Sequence, residues 1–303
     1  MPIQLAFSTV ACPERTLEDA ARAASEWGYA GLELRTLGPG SSQLSSDPAL
    51  TTPAKAAAVL KAFGVEPVCL STSISLHHRV TSQQRAAQLA VGRAIEFAAE
   101  MGCPAVRVFA YDVDPGQSPD AAMRAIAEQA LPLVEKAGEA GLQLLFENAG
   151  SFSRAKQWWW LFNLINHPML GMVWNVANAA ASGESVAVSV PMLHSRIRIA
   201  KAKDLVVGEG SGFVQLGDGT VGIDKLVKRL RGIGFDGWIS VEWDRLWLPA
   251  LDAADTVLPE AAKRIKDWQA AIDQEIADAD AAAAKLAAKQ KLAPAAPLRA
   301  AAV

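Results

Sequence analysis

Short apolar runs alternate along this chain with longer runs of helical period, and that alternation restricts the fold more than any other feature. Strands are expected at residues 3–9, 31–35, 66–71, 105–110, 142–147, 170–175, 197–203 and 238–242. Helices are expected between them, at residues 17–27, 54–63, 83–101, 120–140, 155–166, 185–194 and 223–233, with a last one at 254–270. Several of these helices stop at a glycine (Gly28, Gly64, Gly102, Gly141, Gly234), the residue that best tolerates the left-handed turn after a helix. Strands separated by helices of ten or more residues make βαβ units and a parallel sheet. Eight such units, with short strands apolar on both faces, favour a closed (β/α)8 TIM barrel over an open doubly wound sheet. No Gly-x-Gly-x-x-Gly follows the first strand, which weakens the dinucleotide-fold alternative.

The 303 residues suit one large barrel, and a hydrophobic content of 51% supplies its core. Residues 1–271 are assigned to the barrel and 272–303 to an Ala/Pro-rich extension, partly helical or mobile. A formal charge of −3 speaks against a nucleic-acid partner, which needs a basic footprint. Apolar stretches are broken well before about 18 residues, so no membrane partner is expected. The N-terminus reads as a strand rather than a leader, and Cys12, Cys69 and Cys103 lack paired or zinc-type spacing. The expected location is the cytoplasm.

Barrel active sites lie at the C-terminal ends of the strands. Glu147 closes the apolar run of the fifth strand and Glu242 that of the eighth. The sixth ends on Asn175, followed by Asn178, and the seventh on Lys201. A carboxylate at such a position is costly unless paired, and two across a barrel mouth suit acid and base work at carbon. Lys201 between them is read in three ways: an ammonium that stabilises a developing oxyanion, a Schiff-base amine, or a countercharge in an inactive barrel. The first is favoured, because neighbouring carboxylates keep a lysine charged. Substrate contacts are expected from Arg35, His77, His78, Trp243 and Trp247 besides Asn175 and Asn178. Glu33 is a substrate contact or barrel filler, while Lys203 and Asp204 brace the seventh strand. Trp158, Trp159 and Trp160 are assigned to packing. The glycines of residues 208–212 suggest a mobile lid.

The run Trp27-Gly28-Tyr29-Ala30-Gly31-Leu32-Glu33-Leu34-Arg35, then Leu145-Phe146-Glu147-Asn148, Asn175-Val176-Ala177-Asn178, Lys203-Asp204, and Gly234-Phe235-Asp236-Gly237-Trp238 leading to Glu242 occur in order. Together they resemble the xylose isomerase-like TIM barrel superfamily of sugar isomerases and epimerases, over roughly residues 3–270. The resemblance implies a divalent metal, Mn or Mg, held by Glu, Asp, His and Glu from strands five to eight. The glutamates are matched by Glu147 and Glu242, but the aspartate position holds Asn175 and the histidine position Lys201. No metal is therefore expected; one that did bind would use Glu147 and Glu242 with Asn175. The expected activity is a sugar or keto-polyol isomerase or epimerase working through an enediolate, on a small polyol, keto sugar or sugar-derived acid. The alternatives are a keto-polyol or inosose-type dehydratase and a non-catalytic sugar-binding barrel. A homodimer or homotetramer is a family-level expectation.

Overall fold

Gln4 of the first strand pairs with Trp238 of the last, and this pairing closes the sheet. The computed structural model describes residues 2–35, 52–113, 116–208 and 212–292, with side chains through residue 285. Most of the loop at 38–53, the centre of the glycine-rich segment 208–212, and the tail beyond residue 292 lie outside the described residues.

The barrel strands are β1 (Gln4–Ser8), β2 (Gly31–Arg35), β3 (Glu66–Ser75), β4 (Ala105–Phe109), β5 (Gln143–Glu147), β6 (Leu170–Asn175), β7 (Ile197–Ala202) and β8 (Trp238–Val241). They form a closed ring of parallel strands in the order β1-β8-β7-β6-β5-β4-β3-β2, the expected (β/α)8 barrel. Outside them lie α1 (Leu17–Trp27), α2 (Pro53–Ala62), α3 (Thr81–Met101), α4 (Pro119–Glu139), α5 (Ala155–Ile165), α6 (Val176–Ala181), α7 (Val186–Leu193), α8 (Ile223–Gly232) and α9 (Ala254–Leu292). Local chemistry sets several of these boundaries. Thr16 Oγ1 accepts the Asp19 N–H to start α1, and Gly28, at φ +78°, ends it. Ser118 caps α4, with Pro119 in its first turn.

Two elements around the barrel, β3 and α6, differ from the sequence reading. β3 runs on to Ser75, with an irregular register against β4 between Ser71 and Ser75. α6 is a one-and-a-half-turn helix that the sequence pattern does not announce; Asn175 ends β6 and caps it at once. α9 runs without a break from the last barrel helix through the Ala-rich extension to Leu292, the helical character expected of that segment, because the extension holds no glycine or proline before that point to stop it. Ile272 is buried, and from residue 273 through 285 the helix is exposed on all sides. Among the described residues no helix is long and apolar enough to cross a membrane.

The interior of the ring is built in layers. Ala6, Val68, Cys69, Ala105, Leu145, Val173 and Ile199 form a buried cluster closed by the Trp238 ring, separate from the larger core beneath the helices. Gly31 completes this plug: a Cβ there would stand 2.4 Å from a Val68 methyl and 2.9 Å from the Trp238 ring. Successive residues of a strand face opposite sides, so the next inward positions belong to residues two further along.

Candidate active site

Those next positions are Glu33, Ser71, Arg107, Glu147, Asn175, Lys201 and Ser240, one each from β2 to β8. All are buried. The Lys201 side chain, 1% exposed, stands at their centre. Its Nζ lies 3.2 Å from Glu33 Oε1 and 3.1 Å from Glu147 Oε2, and it donates to Glu242 Oε2. Glu33 is fixed by the Ser71 hydroxyl, which donates to Oε1 at 2.6 Å, and the Ser240 hydroxyl, which donates to Oε2 at 2.7 Å. Glu147 faces the Arg107 guanidinium, with Nε 3.3 Å from Oε2, and accepts from Asn175 Nδ2 at 3.1 Å. Lys203 Nζ lies 3.5 Å from Glu242 Oε1 and pairs with Asp244.

The cluster therefore opposes four carboxylates (Glu33, Glu147, Glu242, Asp244) to four cations (Arg35, Arg107, Lys201, Lys203). Burial alone would drive the Lys201 ammonium to lose its proton, but Glu147, Glu242 and Glu33 outweigh burial and raise its pKa. Lys203 is raised in the same way, by Glu242 and Asp244 against burial. Burial acts to raise the Glu242 carboxyl, yet Lys201 and Lys203 prevail and hold it at about 2. Asp244 moves the other way: burial, then the charge of Glu242, push it above the usual range. Burial and the neighbouring Arg107 lower Arg35 to about 10.

Above the cluster opens a cavity of about 350 Å3, lined by Arg35, Arg107, Phe109, Tyr111, Glu147, Ala149, Gly150, Asn175, Asn178, Lys201, Lys203, Glu242, Asp244 and Trp247. Seven residues singled out from the sequence thus meet here: Glu147, Glu242, Lys201, Asn175, Asn178, Arg35 and Trp247. Arg35 is held by bonds to Ser71 O and Ser73 Oγ and lies 5.4 Å over the Trp247 ring. Asn178 donates to Asn148 O at 2.8 Å, tying α6 to the end of β5. Part of the rim is strained: Tyr111, though not a glycine, sits at φ +35°, and its carbonyl accepts from Ser151 N.

The structure does not bring His77, His78 or Trp243 to this cavity. The extra length of β3 carries the two histidines aside: His77 Nδ1 contacts Ser75 Oγ at 2.5 Å, and His78 O accepts from Gln84 and Gln129 on α3 and α4. Trp243 turns into the core, its indole N–H bonded to Asp252 O. Lys203 faces the cavity instead of bracing β7, whereas Asp204 does brace: its carboxylate accepts the N–H groups of Gly217, Gly219 and Val221. Trp158 is buried against Phe146 and Phe152, away from the site, and Trp159 is exposed. The sequence reading missed Arg107 and Asp244. The signal for Arg107 was a lone charge within the apolar strand Ala105–Phe109, in step with the inward residues of its neighbours.

Among the described residues no group of three or more His, Cys, Asp or Glu side chains is arranged to hold a metal ion. Asn175 Oδ1 is already engaged, accepting the N–H groups of Ala177 and Asn178 at 3.2 and 3.3 Å.

A family model for the xylose isomerase-like TIM barrel matches residues 21–270. No curated protein matches the chain. Among solved structures, an IOLI protein with a bound zinc atom aligns at a TM-score of 0.73 and 17% identity, over 89% of this chain and 98% of that one. The probable 3-DHS dehydratase AsbF of Bacillus anthracis aligns at 0.72 and 17%, over 87% and 99%. An L-ribulose 3-epimerase aligns at 0.71 and 14%, over 98% and 100%. At such identities the likeness is one of fold.

Proposed function

This chain belongs to the xylose isomerase-like TIM barrel family, and on that footing we propose that it moves a proton at the carbon beside a carbonyl of a small polyhydroxylated substrate. The observation that carries the proposal is Lys201, a buried ammonium among three carboxylates at the C-terminal ends of the barrel strands. A fixed cation in a site shielded from water stabilises an enediolate oxygen far better than the same charge in solution.

The divalent metal implied by the resemblance does not fit this donor set. A protonated amine has no lone pair to give, Asn175 Oδ1 is committed to backbone N–H groups, and Arg107 adds a second positive charge beside Glu147. The reaction we propose is therefore metal-independent, and Lys201 supplies the electrostatic stabilisation.

The acid and base work is divided by environment. Glu147 Oε2 makes ion-pair contacts but no hydrogen bond of good geometry among the described residues, and it borders the cavity. It is the base that takes the carbon-bound proton. Glu242, held ionised by two lysines and accepting a hydrogen bond from Lys201, serves to position that lysine. Asp244, whose pKa is raised, holds a proton more readily and returns one.

The test is solvent exchange. In deuterated buffer, after dialysis against chelator, the wild type incorporates deuterium next to the carbonyl of a keto sugar or keto acid. Glu147→Gln lowers that rate by about 10²–10⁴-fold. Product mass separates an epimerase or isomerase from a lyase, which loses water after the same abstraction. Exchange that requires an added divalent ion, or that persists in Glu147→Gln, would overturn the proposal.

A further inference from the structure

Two buried polar atoms of the residues lining this cavity have neither a hydrogen bond nor an ion-pair contact among the described residues, and they come from opposite sides of the ring. Arg107 comes from β4, and Asp244 follows β8, four strands away in a ring of eight. Arg107 Nη1 is buried and makes no hydrogen bond among the described residues, and the same holds for Asp244 Oδ1. Both side chains line the cavity. One face of the Arg107 guanidinium is covered by the Phe109 ring, with 4.2 Å from Cζ to the ring centroid, so its donors remain at its edges. Leaving a charged donor buried and unmatched is costly, and a role in binding is one reason a structure retains such a group. A planar guanidinium edge matches a planar carboxylate better than it matches a neutral hydroxyl. Arg35 adds positive potential to the same cavity, while its described bonds to Ser71 and Ser73 keep its position fixed.

We infer that the substrate of this site carries a carboxylate, seated on the Arg107 guanidinium, and a hydroxyl against Asp244 Oδ1: a small polyhydroxy keto acid rather than a neutral keto sugar. In calling the ligand a substrate, this rests on the proton-transfer reading above; the subsite itself rests on the two unmatched atoms. The four cations of the cluster match its four carboxylates, so the cavity carries no excess of negative charge to repel an anion.

Calorimetry on the intact wild-type chain with two matched pairs tests this. The acids are 5-keto-D-gluconate and 2-keto-D-gluconate; their neutral counterparts, L-sorbose and D-fructose, carry a hydroxymethyl group in place of the carboxylate. At least one acid is expected to bind about tenfold or more tightly than its counterpart, the scale of one charge-assisted hydrogen bond. Arg107→Lys keeps the charge beside Glu147, so its fold is expected to survive, yet it should lose most of that preference. Neutral sugars binding as well as the acids, no binding of either acid, D-fructose 6-phosphate outbinding both, or an undiminished preference in a folded Arg107→Lys variant would each overturn the inference. Solvent exchange is read separately. Acid-selective binding without exchange retains the subsite and discards proton transfer, and exchange without acid preference does the reverse.

Discussion

The two halves of the barrel interior are built from the same eight strands and obey opposite physics. Toward the strand N-termini, Val68, Leu145, Val173 and Ile199 pack under Trp238 into a dry plug with no charge to satisfy. One inward step further along, the same strands present Glu33, Arg107, Glu147, Asn175 and Lys201, all buried. The plug is stable because it excludes water. The upper layer is tolerated because each of its carboxylates faces a cation, since buried charge is costly when left alone. The comparison shows a rigid apolar floor holding an electrostatic assembly in place, and removal of one residue has different consequences on the two sides.

Breaking the upper layer should have the largest effect. Lys201→Met leaves Glu33, Glu147 and Glu242 facing one another without their shared cation. Urea unfolding should show a loss of about 3–5 kcal/mol, and proton exchange should vanish in whatever protein remains folded. A loss below about 1 kcal/mol would mean that the three carboxylates do not depend on this ammonium. In the plug, Leu145→Ala should cost about 2–5 kcal/mol through a cavity, while activity per folded molecule is retained. A large fall in that activity would show that the two layers are not separable.

Acid sharpens the contrast, because only the upper layer titrates. The Glu242 carboxyl is held near 2 in the fold against an ordinary value of 4.5. Its contribution to stability is present above 4.5 and lost as the pH falls toward 2. Asp244, shifted upward in part by the charge of Glu242, acts in the opposite sense over the neighbouring range, and Glu242→Gln relaxes that shift as well. Stability measured against pH should fall less steeply on the acid side in Glu242→Gln; equal slopes would contradict the pairing. Lys201, raised above 10.5, keeps its contribution below that pH and loses it only as the pH rises through its folded value. The smallest effect is expected at the rim. Trp247→Ala removes an exposed ring beside Arg35 and should change stability by less than about 0.5 kcal/mol, while raising the KM.

The barrel was legible because its signals are local: periodicity, glycine stops and apolar strands. Glu147, Lys201 and Glu242 were legible because each directly ends an apolar run at the functional end of a strand. Arg107 and Glu33 lie inside strands, where a charge reads equally as a filler of the barrel layer; only closure of the ring shows that both face Lys201 or its partners. His77, His78 and Trp243 fail for the complementary reason. Each stands near a strand end in sequence, but the longer β3 and the turn after β8 carry them off the cavity. Asp244 sits two residues past Glu242 in a loop, and no pattern reports where a loop side chain points.

The central claim is that the Lys201 ammonium stands among Glu33, Glu147 and Glu242 in place of a metal. Elemental mass spectrometry on protein purified without chelator and dialysed against metal-free buffer tests it most directly, with Lys201→His measured alongside. The account predicts no stoichiometric divalent ion in the wild type, and uptake in Lys201→His, where an imidazole would join three carboxylates. A stoichiometric Mn, Mg or Zn ion retained by the wild type would contradict it.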